Sequence, residues 1–254
     1  MAAQPWLTIV TIVKDDPDSF QRTLESICDQ DLDGVEFVVV DSSVNREQIP
    51  AGVHQSKIDA HILWTPPQGI YPAMNTALEI AAGTYIYFAN AGDAFADSSA
   101  LTAIRKSSAS SPDWMFGEVR FIQPDGRAVT PAAFDYATER DRCFSNGRFP
   151  PHQGTIARTQ LLRDLGGFDT SYRIGSDYAL FLKLSQVSDP VEIKAVIADF
   201  FVGGLSTVAW KESLKEFHAA RLNILKPTGA RARRELLGTW SQFAKMSAAR
   251  AIKR

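Results

Sequence analysis

Three aspartates stand where a carboxylate can bind a ligand or move a proton. Asp41 directly follows one apolar run, and Asp93 follows a second such run after a polar turn. Because ligands of open parallel sheets bind in the crevice at the carboxyl ends of the strands, we expect a site at these two residues. Asp177 falls in the first turn of a predicted helix. Carboxylates accept hydrogen bonds, take up protons and bind hard cations.

The first half of the chain alternates strands with helices. Four short apolar runs, rich in β-branched residues, predict strands. They are residues 7–13, 36–40, 61–64 and 85–89. Asp16 is the predicted N-cap of the helix after the first run, and Pro17 is its first residue. Strands joined by helices through short connections predict right-handed crossovers and a parallel sheet.

The second half is less regular. The predicted strands are residues 114–122 and 191–202, and the predicted helices are residues 161–165, a helix from Ser176, and the chain beyond Ala209 with a break at 227–229. Residues 127–150, rich in Asp, Arg and Pro, are expected to form a loop over a site. The sequence has neither the Rossmann glycine fingerprint nor the Walker loop, so any phosphate is held differently.

Four short motifs follow one another along the chain. They are V-V-V-D-S-S over 38–43, G-I-Y-P-A-M-N over 69–75 with N-A-G-D over 90–93, H-Q at 152–153 with L-G-G-F-D over 165–169, and G-S-D-Y-A-L-F-L over 175–182. Together they resemble family-2 glycosyltransferases of the bacterial polysaccharide-biosynthesis type, from about Leu7 to about Ser206. The resemblance implies an α/β architecture, the GT-A fold, with a mainly parallel central sheet flanked by helices. It also implies a catalytic domain over 1–206 and a basic helical C-terminal extension over 207–254.

The resemblance implies a role for each motif. Asp41 would contact the base or ribose of a donor nucleotide, and Asp93 would hold Mg²⁺ or Mn²⁺, which neutralises the leaving diphosphate. Asp177 would be the catalytic base that deprotonates an acceptor hydroxyl as its oxygen attacks the anomeric carbon. The expected donor-binding residues are Thr11, Asp41, Ser42, Gly69, Asn75, Asn90, Gly92 and Asp93, and the expected acceptor or diphosphate side comprises His152 and Gln153.

Two departures from the family pattern leave alternatives open. Gly92 replaces one of two paired acids, and residues 42–45 read Ser-Ser-Val-Asn where the family usually has Gly-Ser-x-Asp. Plain structural roles also remain open: a turn for Asp41, a cap for Asp93, a favourable helix-dipole contact for Asp177, and simple packing for His152.

The leading interpretation is an inverting, hexosyltransferase-like enzyme that uses a nucleoside-diphosphate sugar. Its acceptor would be a carbohydrate or a lipid-linked molecule in polysaccharide or glycoconjugate synthesis. A sugar nucleotidyltransferase would need a glycine- and arginine-rich loop after the first strand, where residues 14–17 read Lys-Asp-Asp-Pro. The second interpretation is a degenerate nucleotide-sugar-binding or scaffolding protein without transfer activity. Gly92 and residues 42–45 favour it, because they depart from the family pattern.

Composition limits the class of protein. The 254 residues are 45% apolar and 22% charged, which is ordinary for a globular chain. No run approaches the roughly 20 apolar residues of a membrane helix, and residues 1–13 do not resemble a signal peptide. Cys28 and Cys143 are too few for a disulfide framework, and Cys28 is expected to be a buried thiol. A cytoplasmic location and no nucleic-acid partner are expected.

Charge is divided unevenly between body and tail. Residues 211–254 contain 11 Lys and Arg against 3 Asp and Glu, a net charge of +8, and the first 210 residues contain 16 against 26, a net charge of −10. One interpretation is peripheral contact with anionic lipid at the inner face of the membrane. The tail candidates are Arg231, Arg233, Arg234, Lys245, Arg250, Lys253 and Arg254, with Trp240 and Phe243 as apolar anchors. The other interpretation is a pair of helices packed on the domain.

Overall fold

The computed structural model describes residues 4–56, 58–131, 135–139, 144–145, 149–203 and 209–252. These residues form one mixed sheet with helices on both faces. The predicted boundary at 206, the segment 204–206, Cys143, Lys253 and Arg254 lie outside the described residues.

The first four strands form the parallel part of the sheet. They are β1 (Leu7–Val13), β2 (Val35–Asp41), β3 (His61–Trp64) and β4 (Tyr85–Phe88). Their order is β3-β2-β1-β4, and all three pairings are parallel. The predicted parallel sheet is therefore confirmed here, and all four strands end at the same edge.

The remaining strands are β5 (Ala94–Phe95), β6 (Trp114–Ile122), β7 (Ala128–Val129), β8 (Thr155–Arg158) and β9 (Val191–Phe201). The sheet continues from β4 in the order β8-β6-β9-β5, and β7 pairs with β6. The strand β8 is antiparallel to both β4 and β6, whereas β6 and β9 are parallel. Sequence reasoning did not predict β5 or β8.

Nine helices are found in the described part of the chain. They are α1 (Pro17–Cys28), α2 (Gln48–Ser56), α3 (Ile70–Ile80), α4 (Ala100–Ser108), α5 (Tyr136–Glu139), α6 (Thr159–Asp164), α7 (Ser176–Val187), α8 (Trp210–Leu225) and α9 (Gly229–Ile252). A 3₁₀ turn, His152–Gly154, precedes β8. None of the described helices is both long enough and apolar enough to span a bilayer.

Two apolar cores lie on opposite faces of the sheet, because successive strand side chains alternate between the faces. One core joins Val10 and Val38 to helices α3, α6 and α7, and the other joins Ile9 and Val39 to α1 and α4. Cys28, at the end of α1, is exposed, so the prediction that it is buried was wrong. It is the last residue of α1, beyond the buried turn that ends at Ile27.

The two tail helices pack differently. Ala220 of α8 is fully buried in the core with α7, and Phe217 packs against that core. Helix α9 contacts α8 through a buried ion pair, in which Nε of Arg221 lies 2.8 Å from a carboxylate oxygen of Glu235. Much of α9 is exposed on its other side.

Candidate active site

Asp41 lies at the carboxyl end of β2, between Val13 of β1 and Trp64 of β3. It is buried, and its Oδ1 accepts a hydrogen bond of 2.8 Å from the Ser43 backbone N–H. Beside it, the Ser42 hydroxyl lies 3.1 Å from the Thr65 hydroxyl. The carboxylate therefore shapes a turn and also stands at the sheet edge where a ligand is expected.

Two side chains next to Asp41, those of Arg46 and Trp64, were not among the predicted site residues. The Arg46 guanidinium lies 3.4 Å from the centre of the Trp64 ring, and the Trp64 indole donates a hydrogen bond of 3.0 Å to the Ser43 carbonyl. Arg46 is exposed, and Trp64 is half-buried. The position of Trp64 at the end of the predicted strand 61–64 could have indicated that it lies at this edge of the sheet.

The turn after β4 is held to β1 and α1 by hydrogen bonds. The Ala91 N–H donates to the Ile12 carbonyl at 3.1 Å, and the Thr23 hydroxyl donates to the Asp93 carbonyl at 2.6 Å. The Thr11 hydroxyl is buried and donates to the Ala89 carbonyl at 2.8 Å. Thr11 therefore holds the turn that carries Asn90, which is at odds with its predicted contact with the donor.

Gly92 explains why this turn has a single acid. Its φ is +104°, a backbone conformation that side-chain-bearing residues rarely adopt, although a Cβ there would meet no atom closer than 3.8 Å. Backbone strain, and not crowding, therefore disfavours the paired carboxylate of the family pattern at this position.

Asp93 is buried, and burial raises the pKa of its carboxyl to about 8, against a smaller lowering by a hydrogen bond from the Asn90 backbone. The side-chain oxygen of Asn90 is also buried and has no hydrogen-bond partner. A carboxylate and an amide oxygen in one tight turn are suitable ligands for Mg²⁺ or Mn²⁺. The described residues contain no cluster of three or more His, Cys, Asp or Glu side chains that could hold a metal alone. Diphosphate oxygens and water would have to complete the coordination.

His152 and Gln153 connect the surroundings of Asp93 with those of Asp177. The Tyr87 hydroxyl donates a hydrogen bond of 2.8 Å to the Gln153 carbonyl, and the pKa of Tyr87 is raised by burial and by the charge of Asp93. On the other side, the His152 ring stacks on Phe181 of α7 at 5.8 Å. The 152–154 turn is thus coupled to Asp93 through Tyr87 and to α7 through Phe181.

Aromatic rings enclose His152. Phe88, Phe168 and Phe181 surround it, and neither ring nitrogen has a hydrogen-bond partner. Burial lowers the pKa of His152, and the charge of Asp177 opposes this only in part. The imidazole is therefore neutral at pH 7. Its predicted contact with the diphosphate or the acceptor stays a prediction.

Asp177 begins α7, and its position is fixed by a residue that sequence reasoning did not assign to the site. The single proton of the Tyr71 hydroxyl is shared between the Ile174 carbonyl and Oδ1 of Asp177, which lies 3.1 Å from the hydroxyl oxygen. Asp177 is half-buried, and its Oδ2 accepts no hydrogen bond from any described residue. Tyr71 is the third residue of the G-I-Y-P-A-M-N motif, so its membership of that motif could have indicated a role in the site.

A carboxylate from α8 holds the segment before Asp177. Glu216 accepts hydrogen bonds from three successive backbone N–H groups, those of Arg173, Ile174 and Gly175, at 3.0, 2.8 and 2.7 Å. A Cβ on Gly175 would lie 3.0 Å from the Phe217 ring, so α8 approaches this backbone closely. The tail helix therefore helps to shape the start of α7.

Two other predicted donor residues have different surroundings. The side-chain amide of Asn75 exchanges two hydrogen bonds of 2.8 Å with the backbone of Phe168, which argues against its predicted donor contact. Gly69 precedes α3 with a φ of +115° and leaves the first N–H groups of that helix without a side-chain cap. Its predicted donor contact stays a prediction.

The sequence profile of Glycosyl transferase family 2 matches residues 8–166. The chain belongs to this family. An uncharacterised glycosyltransferase of Mycobacterium tuberculosis is 27% identical over 213 residues, which are 82% of this chain and 79% of the relative. A PGL/p-HBAD biosynthesis glycosyltransferase of Mycobacterium bovis is 28% identical over 203 residues, which are 76% of each protein. The family-2 protein is thus a glycosyltransferase, as predicted.

Solved structures share its fold. TarS of Staphylococcus aureus, residues 1–349, matches with a TM-score of 0.69 at 16% identity, over 94% of this chain and 73% of that one. The mannosyltransferase PcManGT of Pyrobaculum calidifontis, solved with GDP-Man and Mn²⁺, matches with a TM-score of 0.62 at 18% identity, over 98% and 76%. These likenesses confirm the GT-A fold for the family-2 chain.

Proposed function

We propose that this glycosyltransferase moves a sugar from a nucleoside-diphosphate sugar to an acceptor hydroxyl, with inversion at the anomeric carbon. The observation that carries the proposal is that the His152–Gly154 turn links the two acids: Tyr87, on which the charge of Asp93 acts, bonds the Gln153 carbonyl, and the charge of Asp177 acts on His152. TarS has been solved with UDP and with UDP-GlcNAc, and PcManGT with GDP-Man, which supports a nucleotide sugar as donor.

In the proposed reaction, Asp177 takes the proton of the acceptor hydroxyl through its free oxygen, Oδ2. The acceptor oxygen attacks the anomeric carbon, and the electron pair of the broken bond leaves with the diphosphate. Tyr71 keeps the carboxylate in place by its hydrogen bond to Oδ1. The uncapped N-terminus of α3, next to Tyr71, suits the negative charge of the leaving group.

Asp93 and Asn90 are the side chains that would hold Mg²⁺ or Mn²⁺. When bound, such an ion stabilises the charge that develops on the diphosphate. The orphaned Asn90 oxygen and the buried Asp93 carboxyl support this assignment. Asp41 and Ser42, at the carboxyl end of β2, would contact the nucleoside.

A thermal-shift screen of nucleoside diphosphates and their sugars tests the proposal. A ligand that binds only the folded state stabilises it by about 2.7 kcal/mol at 100 times its Kd. We expect one base to stand out and Mn²⁺ to increase the shift. No shift with any nucleotide would reject the proposal.

The second candidate, a binding protein without transfer activity, is favoured by Gly92, whose φ of +104° leaves the turn with one acid. Donor hydrolysis, measured with and without Mn²⁺, separates the two. A chain that binds a nucleotide sugar and never cleaves it supports the second candidate.

The proposal includes a role in polysaccharide or glycoconjugate synthesis, in the cytoplasm and at the inner face of the membrane. The M. bovis relative named for PGL/p-HBAD biosynthesis supports a glycoconjugate acceptor, carbohydrate or lipid-linked. The +8 tail on a −10 body supports contact with an anionic surface.

A further inference from the structure

Helix α9 exposes an apolar face that no other described element covers. Leu236, Leu237 and Trp240 are 49%, 69% and 68% exposed. They are three of the ten large apolar side chains exposed in the described part of the chain, and they fall within five consecutive residues. Residues three and four positions apart are neighbours on a helix, so Trp240 lies beside both Leu237 and Leu236, and the three form one stripe, the α9 stripe.

Unpaired arginines flank the α9 stripe. Arg231, Arg233 and Arg234 are exposed, and none of their side chains has an ion-pair or hydrogen-bond partner among the described residues. The acid closest in sequence, Glu235, is buried and already paired with Arg221. Among the described residues, no anion neutralises these three guanidinium groups, which suits them to bind an anion from outside.

A cavity of about 1090 Å³ lies beneath α9, between it and helices α7 and α8. Arg231 and Arg234 line it, with the apolar side chains of Leu182, Leu225 and Leu237 on one part of the wall and polar side chains, including the Arg221–Glu235 pair, on another. Small-molecule pockets typically measure about 300–1,000 Å³. Leu237 belongs both to the cavity and to the α9 stripe, so the apolar surface is continuous from one to the other.

We propose that α9 and this cavity bind a phosphate-bearing lipid of an anionic bilayer. Arg231 and Arg234 hold the lipid phosphate, because a guanidinium matches phosphate oxygens in pairs. One apolar chain of that lipid enters the cavity beside Leu237. The α9 stripe then rests among the neighbouring lipids, as an amphipathic helix does at an interface.

The inference rests on the proposed contact with the membrane, and it has a consequence for the acceptor. Leu182, in the cavity wall, is in the same helix as Asp177. A lipid held under α9 therefore lies against the second half of α7, more than one helical turn from Asp177, and brings the protein to the bilayer from which a lipid-linked acceptor would come.

Vesicle co-sedimentation of the full-length protein tests the inference with a matched pair of variants. Arg231→Gln/Arg234→Gln removes the two charges that line the cavity, and Arg233→Gln/Lys245→Gln removes two exposed charges of α9 that do not. Vesicles of phosphatidylcholine with phosphatidylglycerol are compared with phosphatidylcholine alone. The control pair should weaken binding about 30-fold, the ordinary effect of two surface charges. The cavity pair should weaken it at least tenfold more, and equal losses would overturn the inference.

A soluble lipid tests the cavity itself. Dihexanoyl phosphatidylglycerol below its micelle concentration should raise the thermal midpoint of the wild type and of the control pair, and not of the cavity pair. An equal shift with inorganic phosphate would show a phosphate site only and would overturn the lipid assignment. Both measurements omit nucleotide sugar, so their failure leaves the transferase proposal untouched, and the reverse also holds.

Self-association is the competing use of the α9 stripe. Sedimentation velocity should find the wild type monomeric. A dimer that Leu237→Ser/Trp240→Ser dissociates would overturn the inference and assign the stripe to a second copy of the chain.

Discussion

At the scale of single residues, Asp177 has one carboxylate oxygen held by Tyr71 and the other free of described partners. Asp177→Asn removes the proton acceptor and keeps the shape, so kcat should fall about 10²–10⁴-fold. Donor affinity, measured by thermal shift, should stay unchanged. Asp125→Asn, in an exposed turn, is the matched control. A loss of only two- or threefold would reduce Asp177 to a helix-start acid.

Asp93→Asn tests the assignment of the cation. The folded, ligand-free protein already keeps this carboxyl largely neutral at pH 7, because burial raises its pKa to about 8. The unfolded chain ionises this carboxyl at its ordinary pKa, so burying it costs stability at pH 7. The neutral amide should therefore raise the thermal midpoint of the metal-free protein, while Mn²⁺-dependent turnover is lost. Turnover and thermal midpoint are measured with and without Mn²⁺. Wild-type turnover in the variant would remove Asp93 from the mechanism.

His152 should make stability depend on pH. Burial lowers the pKa of the folded imidazole below its usual 6.5, so the unfolded chain binds the proton more readily. The contribution of His152 to stability is therefore full above pH 6.5 and is lost as the pH falls through the lowered pKa. Urea unfolding at pH 5, 6 and 7.5 should show this decline in the wild type and a smaller decline in His152→Leu. Parallel curves would show that His152 does not cause it.

At the scale of elements, the sequence predicted those whose signal is local. Asp16 accepts a hydrogen bond of 3.1 Å from the Ser19 N–H and caps α1, and α7 begins at Ser176, both as predicted. The strand β8 escaped prediction because its four residues are defined by antiparallel pairing with β4 and β6. Helix α2 contains Pro50, and its weak apolar pattern gave no clear signal.

The site residues divide in the same way. Asp41 lies at the end of β2, Asp93 in the turn after β4 and Asp177 in the first turn of α7, as the local sequence predicted. The contact of the Asn75 amide with Phe168, which is 93 positions away, could not be predicted from the sequence. The role of Tyr71 depends on Asp177, 106 positions away. Contacts of that range are set by tertiary packing, which periodicity does not reveal.

Glu216 makes α8 a positioning element for Asp177. Glu216→Gln replaces one acceptor oxygen by an N–H₂ group, so at least one of the three backbone donors loses its partner. A small displacement of the Asp177 segment should lower kcat about tenfold to hundredfold, because catalysis is sensitive to such misplacement. Kinetics at a temperature where both proteins are folded measure the effect.

Glu212→Gln is the matched control, because Glu212 is exposed in the first turn of the same helix. The donor-induced thermal shift should be equal in all three proteins, since a positioning residue changes kcat and not donor affinity. An unchanged kcat in Glu216→Gln would show that its hydrogen bonds contribute to stability alone.

At the scale of the whole molecule, the basic tail is attached to the acidic body by a buried charge. Arg221 is 1% exposed and, besides Glu235, donates hydrogen bonds of 2.8 Å to the Tyr178 hydroxyl and 2.7 Å to the Thr239 hydroxyl. A chain truncated after Lys226 would keep Arg221 and lose its carboxylate. Such a truncation would change stability and membrane contact at the same time. Point variants change one without the other.

Glu235→Gln should therefore destabilise the protein far more than a surface substitution. Breaking a buried pair leaves an uncompensated charge on Arg221, which typically costs about 3–5 kcal/mol of unfolding free energy. The double variant Arg221→Met/Glu235→Met should recover much of this loss, because it removes both charges and keeps the volume. Asp31→Asn is the control, since its exposed pair with Arg105, at 3.6 Å, should contribute about 0–1 kcal/mol. Urea unfolding of the four proteins measures these values, and a loss in Glu235→Gln as small as in Asp31→Asn would mean that this ion pair does not hold α9 to α8.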